Sequence, residues 1–228
     1  MKEDITLIVF DFDGTLGDTR RTIVTTMQMT IAEMGLPERN ESECASTIGL
    51  PLAGCFGALF PNLTPDMLQR CADTYRRIFS ENLKHIRPKA FPNVVQTLAA
   101  LKQQGLELTI ASSRSHASLV ELTHDLGLAD YMAYLVGADD VVKAKPEPEP
   151  VLCTIEAMNR KGNAHYEAAK TLVVGDMDVD ILMGRRAGAK TCGVTWGNGS
   201  REALLQAGAD YIIDNVEDLT LLSNAEHE

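Results

Sequence analysis

The sequence has no long apolar run and few aromatic residues. Only 5% of its 228 residues are aromatic, and no stretch approaches the roughly 20 apolar residues of a membrane span. The first residues, MKEDITLIVF, turn acidic before any apolar segment, unlike a secretory signal peptide. We therefore expect a cytoplasmic protein with no membrane partner.

Cysteine is also scarce. The chain has five cysteines, an odd number, at wide spacings and without a CxxC pair. This pattern favours reduced thiols over a disulfide framework. Hydrophobic residues make up 45% of the chain, so an ordinary core can form without covalent or metal cross-links.

Positive charge is in deficit. Lysine and arginine total 21 against 32 acidic residues, which gives a formal net charge of -11. Such a surface repels the phosphates of nucleic acids and anionic lipids, so we expect neither as a partner. A small anionic metabolite stays compatible, because a local basic pocket can override the overall charge.

Several short, continuous apolar runs end in polar or glycine-rich turns. Such runs are typical of strands buried on both faces of a parallel sheet. They are Thr6–Phe10, Leu106–Ala111, Ala133–Val136, Thr171–Val174, Ala189–Val194 and Tyr211–Ile213. Helical patterns such as Val94–Gln104 and Ser118–Leu126 lie between most of them. Alternating strands and helices predict an α/β fold with a doubly wound parallel sheet.

The interval between the first two strands is too long for one crossover helix. Apolar residues at helical spacing run from Ile23 to Met34, and Asp18 is a candidate N-cap. Thr64-Pro65 indicates the start of a second long helix. We predict an all-helical cap of residues 16–85, inserted into an α/β core of residues 1–15 and 86–228.

The strongest chemical signal is the stretch DFDGTL, from Asp11 to Leu16, directly after the first strand. Residues two apart in an extended chain point the same way, so Asp11 and Asp13 should both face the crevice at the strand ends. Gly14 permits a tight turn and a close approach to an anion. The alternative is a turn with two solvated carboxylates.

A second acidic stretch, GDMDVD, runs from Gly175 to Asp180 after another predicted strand. It brings Asp176, Asp178 and Asp180 toward the same edge of the sheet. Clustered carboxylates raise one another's pKa unless a cation neutralises them, and hard oxygen ligands suit Mg²⁺. The alternative is that Asp178 or Asp180 caps the following helix.

Two further signals are weaker. Ser112 and Ser113 follow the strand Leu106–Ala111, where hydroxyls and amides can hold a phosphate oxygen or merely cap a helix. Lys145 lies in the proline-rich stretch Lys143–Pro150, which either presents the lysine rigidly or is a surface linker.

The ordered set of four motifs resembles the haloacid dehalogenase superfamily over essentially the whole chain. The motifs are DFDGTL, the hydroxyl of Ser112, the lysine of Lys145-Pro146 and GDMDVD. The chain is most similar to the phosphoglycolate-phosphatase-like branch, also at Gly208–Asp214. The resemblance implies a Rossmann-like core with a helical cap, and a Mg²⁺-dependent phosphatase acting on a small phosphorylated metabolite.

The resemblance also implies residue roles. Asp11 would be the nucleophile and a Mg²⁺ ligand, and Asp13 the acid/base whose backbone carbonyl also binds the metal. Asp176 would be the other direct protein ligand, and Asp180 a water-mediated ligand that orients Lys145.

Phosphate binding is implied for three residues. Ser112 would donate a hydrogen bond to a phosphate oxygen, Lys145 would stabilise the phosphate and the intermediate, and the Ser113 amide would assist. The loop Gly49–Ala53 is expected to face this site. Arg20, Arg21 and Arg87 are candidates for contacting a second anionic group of the substrate.

Other activities stay open at this stage. A pyrophosphatase, a sugar-phosphate phosphatase or a phosphomutase would use the same carboxylates, and a non-enzymatic Mg²⁺- or phosphate-binding module is a different class altogether. Two activities of similar proteins are disfavoured. A phosphonate hydrolase would need a lysine in the cap, but the stretch after Asp18 offers arginines, and the dehalogenases have no second aspartate corresponding to Asp13. The chain is expected to be a monomer or a homodimer.

Overall fold

The fold is organised around a parallel sheet. A computed structural model describes residues 5–162 and 164–223, so the predicted domain ends at residues 1–4 and 224–228 lie outside the described residues. The strands are β1 (Leu7–Phe10), β2 (Gly17–Asp18), β3 (Lys89–Ala90), β4 (Glu107–Ala111), β5 (Tyr134–Val136), β6 (Thr171–Gly175), β7 (Lys190–Val194) and β8 (Tyr211–Ile213).

Six of these strands form one parallel sheet in the order β5-β4-β1-β6-β7-β8. They are the six predicted from the apolar runs, each within one residue of the predicted bounds. Strand β1 lies between β4 and β6, with Leu7 in register with Glu107 on one side and with Thr171 on the other. The chain order reverses at β1, so a crevice opens beyond its carboxyl end, where α/β proteins bind ligands.

Helices cover both faces of the sheet. They are α1 (Arg20–Glu33), α2 (Glu41–Ala45), α3 (Leu52–Leu59), α4 (Pro65–Asn82), α5 (Val94–Gln103), α6 (His116–Asp125), α7 (Glu149–Arg160), α8 (Asp178–Ala187), α9 (Arg201–Ala207) and α10 (Leu219–Ser223). Alternation along β1 separates the faces, because Leu7 and Val9 join a different apolar cluster from Ile8 and Phe10. The predicted doubly wound α/β fold is confirmed.

Helices α1 to α4 lie between the two strands of a short antiparallel ribbon. In that ribbon Gly17 pairs with Ala90 and Asp18 with Lys89, so the chain leaves and rejoins the core at one place. Helices α1 and α4 pack together through a buried polar contact, in which Asn82 Nδ2 donates to Thr26 Oγ1 at 2.9 Å.

The prediction that Asp18 caps the first helix is wrong. Asp18 lies in β2, and the N-cap of α1 is Thr19. Pairing of Asp18 with Lys89 in the ribbon is a tertiary constraint that outweighs the capping preference of aspartate.

Within the described residues, none of the helices is long and apolar enough to cross a membrane.

Helix α4 begins as the Thr64-Pro65 signal predicts. Thr64 is its N-cap and its hydroxyl accepts a hydrogen bond from the Met67 amide, while Pro65 occupies the first helical position. Pro65 has no amide hydrogen to leave unsatisfied there, so both residues suit the start of a helix.

Loss of this cap should lower stability. We expect Thr64→Ala to reduce the free energy of unfolding by about 1 kcal/mol, or the melting temperature by roughly 2–4 °C for a chain of this size. Thr64→Ser keeps the hydroxyl and should retain most of the stability. Equal melting temperatures for Thr64→Ala and the wild type would contradict a capping role.

Candidate active site

The predicted motifs meet at the carboxyl ends of three adjacent strands. Asp11 follows β1, Ser112 follows β4, and Asp176 follows β6. The Asp11 amide continues the sheet by donating to the Val174 carbonyl at 2.8 Å. This extension fixes the backbone of Asp11 one residue beyond the strand, at the crevice where the chain order reverses.

Three carboxylates form a buried group at this edge. Asp11, Asp176 and Asp180 each offer a carboxylate oxygen, and these oxygens lie within 4.8 Å of one another. Their exposed fractions are 6%, 0% and 1%, so little solvent screens their charges. Burial of like charges is unfavourable without a cation.

Lys145 provides one positive charge to this group. Its Nζ lies 2.5 Å from Asp11 Oδ1 and 2.7 Å from Asp180 Oδ1, and the side chain is 2% exposed. Asp180 is itself held at the start of α8, where its second oxygen accepts a hydrogen bond from the Met177 amide at 3.1 Å. The capping alternative is thus partly realised, since Asp180 serves the helix and the lysine together.

Asp176 is enclosed by two loops. Its Oδ2 accepts hydrogen bonds from the Asn198 amide at 2.6 Å and from Asn198 Nδ2 at 3.2 Å. Its Oδ1 accepts one from the Thr15 hydroxyl at 3.2 Å. A Cβ atom at Gly14 would lie 2.2 Å from Asp176 Oδ2, and one at Gly199 would lie 2.0 Å from the Asp176 carbonyl oxygen. Glycine is therefore required at both positions for the loops to close around this carboxylate.

The side chain of Asp13 points to a different set of partners. Its Oδ1 accepts hydrogen bonds from the Thr19 hydroxyl at 2.6 Å and from Arg114 Nε and Nη2 at 2.9 and 2.7 Å. The Arg114 side chain is 9% exposed, and its guanidinium lies over the ring of Phe79 in α4. The Asp13 carboxylate therefore lies where the sheet edge meets the helical segment, residues 16–85, which contains helices α1 to α4.

The serine loop contacts that segment as well. Ser112 is buried, and its Oγ accepts a hydrogen bond from the Arg114 amide at 3.2 Å. The hydroxyl of Ser113 donates to the Gly49 carbonyl at 2.6 Å. A Cβ atom at Gly49 would lie 3.2 Å from Met177 Cγ, so the loop that begins at Gly49 lies against two of the site loops. This loop is shorter than the predicted Gly49–Ala53, because Leu52 and Ala53 form the first turn of α3.

Proton affinities in the group reflect its buried charge. Burial raises the pKa of Asp11 well above its usual range, and the neighbouring carboxylates add to this, while Lys145 opposes it. Burial also raises the pKa of Asp176 to about 7, with Asp180 contributing. Burial alone would lower the pKa of Lys145, but the Asp11 and Asp180 carboxylates raise it above its usual value.

These residues fit a magnesium ion. Three carboxylates against one ammonium leave two negative charges without a counter-charge in the group, and a divalent cation supplies that amount. The available donors are hard carboxylate oxygens, which Mg²⁺ prefers over softer ligands. The raised pKa values of Asp11 and Asp176 are what carboxylates in this setting show in the absence of such a cation.

The structure brings most of the sequence-predicted residues together. Asp11, Asp176, Asp180 and Lys145 form one contact group, while the Asp13 side chain lies on the adjoining Arg114. Among the candidate cations for a second anion, Arg20 contacts Asn198 Oδ1 at 3.5 Å and Glu41 at 3.6 Å, whereas Arg21 and Arg87 are exposed.

Sequence reasoning missed three residues of the site. Arg114, Asn198 and Thr19 contact Asp13 or Asp176, yet none was proposed as a site residue. Arg114 is adjacent to the serine pair, and Asn198 lies between two glycines after β7. A polar residue within a glycine-rich turn after a parallel strand is a signal that could have pointed to Asn198. Trp196, in the same turn, anchors it by donating to the Thr15 carbonyl at 3.1 Å.

Comparison with known proteins identifies the family. Residues 8–194 match the model of the haloacid dehalogenase-like hydrolases, a range that runs from β1 through β7 and includes DFDGTL, Ser112, Lys145-Pro146 and GDMDVD. The chain therefore belongs to the haloacid dehalogenase-like hydrolase family.

Individual relatives narrow this assignment. The chain is 35% identical to "Probable phosphatase IndB" of Dickeya dadantii (strain 3937), over 96% of this chain and 94% of the relative. It is 31% identical to "Pyrophosphatase PpaX" of Bacillus pumilus (strain SAFR-032), over 97% of this chain and 98% of the relative. It is 33% identical to "Phosphoglycolate phosphatase" of Aquifex aeolicus (strain VF5), over 84% of this chain and 85% of the relative. These likenesses place it in the phosphoglycolate-phosphatase-like branch, as a phosphatase.

A solved structure shares the same fold. The crystal structure of a predicted phosphoglycolate phosphatase from Haemophilus somnus 129pt superposes with a TM-score of 0.86, at 23% sequence identity. The alignment covers 97% of this chain and 99% of that chain. The arrangement of the sheet and the helical segment is thus found in a solved relative.

Removing the charge of Asp176 should stabilise the metal-free protein. Because the pKa of Asp176 is raised to about 7, the folded state binds this proton more tightly than the unfolded chain. The free energy of unfolding of the wild type should then fall as pH rises from about 4 to about 7. We expect metal-free Asp176→Asn to melt above metal-free wild type at pH above 7, and the difference to shrink toward pH 4.

Magnesium should reverse that order. Excess Mg²⁺ should raise the melting temperature of the wild type and raise that of Asp176→Asn much less. The matched control is Asp178→Asn, since Asp178 lies in the same stretch but outside the buried group. A melting difference between wild type and Asp176→Asn that does not change with pH would contradict the raised pKa of Asp176. Equal stabilisation of wild type and Asp176→Asn by Mg²⁺ would contradict the metal site.

A pair of glycines tests the enclosure of Asp176. Gly14 and Gly105 both have positive φ, of 89° and 85°, so alanine costs about 1–2 kcal/mol of backbone strain at each. Only at Gly14 does the added Cβ meet Asp176, because nothing lies within 4 Å of a Cβ at Gly105. We expect Gly14→Ala to lose the Mg²⁺-induced rise in melting temperature and Gly105→Ala to keep it. The same rise in both variants would show that Asp176 can move without harm to the site.

Proposed function

We propose that this phosphatase depends on Mg²⁺ and hydrolyses a small phosphomonoester through an aspartyl-phosphate on Asp11. One observation carries the proposal: the buried Asp11 carboxylate contacts Lys145 and lies beside the carboxylates of Asp176 and Asp180. A carboxylate needs positive charge around it to attack a phosphate dianion, and this group provides both the lysine and a place for a cation.

The first half of the reaction transfers the phosphoryl group to the protein. An oxygen of Asp11 attacks phosphorus in line with the leaving oxygen, a P–O bond to Asp11 forms, and the ester P–O bond breaks. Asp13 protonates the departing oxygen. Lys145, the Ser112 hydroxyl and the Ser113 amide bind the phosphoryl oxygens and offset the charge that develops on them.

The second half regenerates the carboxylate. Asp13, now ionised, takes a proton from a water molecule, and the resulting nucleophile attacks phosphorus to release inorganic phosphate and Asp11. The side chains of Asp11 and Asp176, the Asp13 carbonyl and, through water, Asp180 are the groups that would hold Mg²⁺. When bound, the ion neutralises the repulsion between the Asp11 carboxylate and the phosphate.

The helical segment of residues 16–85 acts in this proposal as a cap over the site. Two contacts support the role: Ser113 donates to the Gly49 carbonyl, and Arg114 lies over Phe79 of α4. A cap that closes would exclude water during attack on Asp11, and one that opens would release product. The β2–β3 ribbon, where the chain crosses twice, is the place for the hinge.

Two substrates are candidates. The relatives named phosphoglycolate phosphatase and pyrophosphatase align over most of this chain, so two compounds are the first to test: phosphoglycolate, a phosphomonoester, and pyrophosphate, the anhydride that the alternative pyrophosphatase activity would cleave. Both carry a second anionic group beyond the phosphate that is removed.

Replacement of the nucleophile should abolish turnover. We expect Asp11→Asn to reduce Mg²⁺-dependent phosphate release by at least about a thousandfold, because the amide cannot form the acyl phosphate. The matched control, Asp178→Asn, changes an aspartate of GDMDVD outside the buried group and should retain wild-type release. The measurement is inorganic phosphate released from a panel of phosphomonoesters and pyrophosphate, with Mg²⁺ and with chelator.

Either of two results would overturn the proposal. Release that survives in Asp11→Asn would rule out the covalent route through this residue. Release that persists in chelator at the wild-type rate would rule out the dependence on Mg²⁺.

A further inference from the structure

Arg114 takes no part in the phosphoryl transfer proposed for Asp11 and Asp13, yet it is a buried cation beside the acid/base. Its side chain is 9% exposed and contacts Asp13 Oδ1 through Nε and Nη2, at 2.9 and 2.7 Å. Nη1 donates to the Ser118 hydroxyl at 3.3 Å. Burial alone would lower the pKa of Arg114, but the Asp13 carboxylate raises it above its usual value, so the charge is retained.

The pairing with Asp13 leaves part of the hydrogen-bonding capacity of the Arg114 guanidinium unused. A guanidinium fork pairs best with two oxygens of one anion, through two parallel hydrogen bonds. Here both Arg114 contacts and the Thr19 hydroxyl donate to the same oxygen of Asp13, at 2.6–2.9 Å. Among the described residues, Nη1 and Nη2 each also keep a second N–H without a protein acceptor. A carboxylate or phosphoryl group would therefore be a better partner than Asp13 as it lies here.

The position of Arg114 is suited to the leaving portion of a substrate. Asp13, as the acid/base, must approach the leaving oxygen to within hydrogen-bond distance, and Arg114 lies one hydrogen bond beyond Asp13. A charged group a few bonds from the leaving oxygen would thus come within reach of the guanidinium.

Aromatic rings restrict where that guanidinium can go. Arg114 Cζ lies 4.9 Å from the ring centroid of Phe79 in α4 and 5.9 Å from that of Phe12 beside Asp13. These two rings, one from the core and one from the helical segment, favour a cation between them. The bound anion would accordingly lie under α4.

We propose that Arg114 determines substrate specificity by binding a second anionic group, a carboxylate or a phosphoryl group, on the leaving portion of the substrate. On binding, the guanidinium exchanges its Asp13 partner for that anion. This inference rests on the proposed function, because it takes Asp13 as the residue that serves the leaving oxygen. The alternative is that Arg114 is only a structural partner of Asp13, which predicts no dependence on the charge of the leaving group.

The first test compares two esters of similar size with wild type and variants. The esters are 2-phosphoglycolate, which carries a carboxylate, and 2-hydroxyethyl phosphate, which does not. We expect wild type to favour the carboxylate ester in kcat/KM by about tenfold to a hundredfold, the range for a charge-assisted hydrogen bond. In Arg114→Met this ratio should fall to near one, and Arg114→Lys should recover part of it.

A second arm measures binding without turnover. The probes are 3-phosphonopropionate and propylphosphonate, which lack a cleavable ester oxygen and differ in the carboxylate. Titration calorimetry in the presence of Mg²⁺ should give wild type a preference of about tenfold or more for the carboxylate probe, lost in Arg114→Met. This arm decides on Arg114 even if the wild type releases no phosphate, which would count against the proposed function alone.

The matched control is Arg39→Met. Arg39 also lies over a phenylalanine, 4.5 Å from the ring centroid of Phe60, and donates to the Leu59 carbonyl, but it has no contact with Asp13. The Arg39→Met variant should keep the preference for the carboxylate.

Equal use and equal binding of the charged and uncharged compounds by wild type would overturn the inference. A preference that survives unchanged in folded Arg114→Met would do the same. If Arg114→Met does not fold, Arg114→Lys decides, because a full wild-type preference in that variant would also overturn the inference.

Discussion

The ion pairs of Lys145 with Asp11 and Asp180, buried together at the end of the sheet, are the constraint on which the rest of the structure depends. Burying charged groups is unfavourable unless each has a partner, and such a group rarely stabilises a fold better than apolar packing would. The presence of these buried charges is therefore explained by the chemistry of the site and not by a gain in fold stability. The order of the strands, with β1 between β4 and β6, brings Asp11 and Asp176 side by side.

The site is shared between the core and the helical segment. The carboxylates and the lysine come from the sheet edge, whereas Asp13 faces Arg114, whose guanidinium lies against Phe79 of α4. Ser113 reaches Gly49 in the same segment. In the proposed mechanism, phosphate chemistry and substrate selection belong to different parts of the site, which agrees with relatives of one family that carry the names of different phosphatases.

The sequence predicted the fold closely, because its signals are local. Continuous apolar runs marked all six strands of the sheet, and Thr64-Pro65 marked the start of α4. Asp18 was misassigned because its strand partner, Lys89, is distant in sequence. Arg114 was overlooked for the same reason: its contact with Asp13 spans 101 residues, and no local pattern encodes it. The order of the motifs indicated which residues meet, but not which of them contact the helical segment.

The most direct test of the account is chemical trapping of the intermediate. Enzyme quenched during turnover of a phosphomonoester would be reduced with borohydride, which converts an acyl phosphate to the alcohol, and its peptides analysed by mass spectrometry. The account predicts homoserine at position 11 and nowhere else, dependent on both substrate and Mg²⁺. Reduction at another carboxylate, or sustained turnover with an unmodified Asp11, would contradict it.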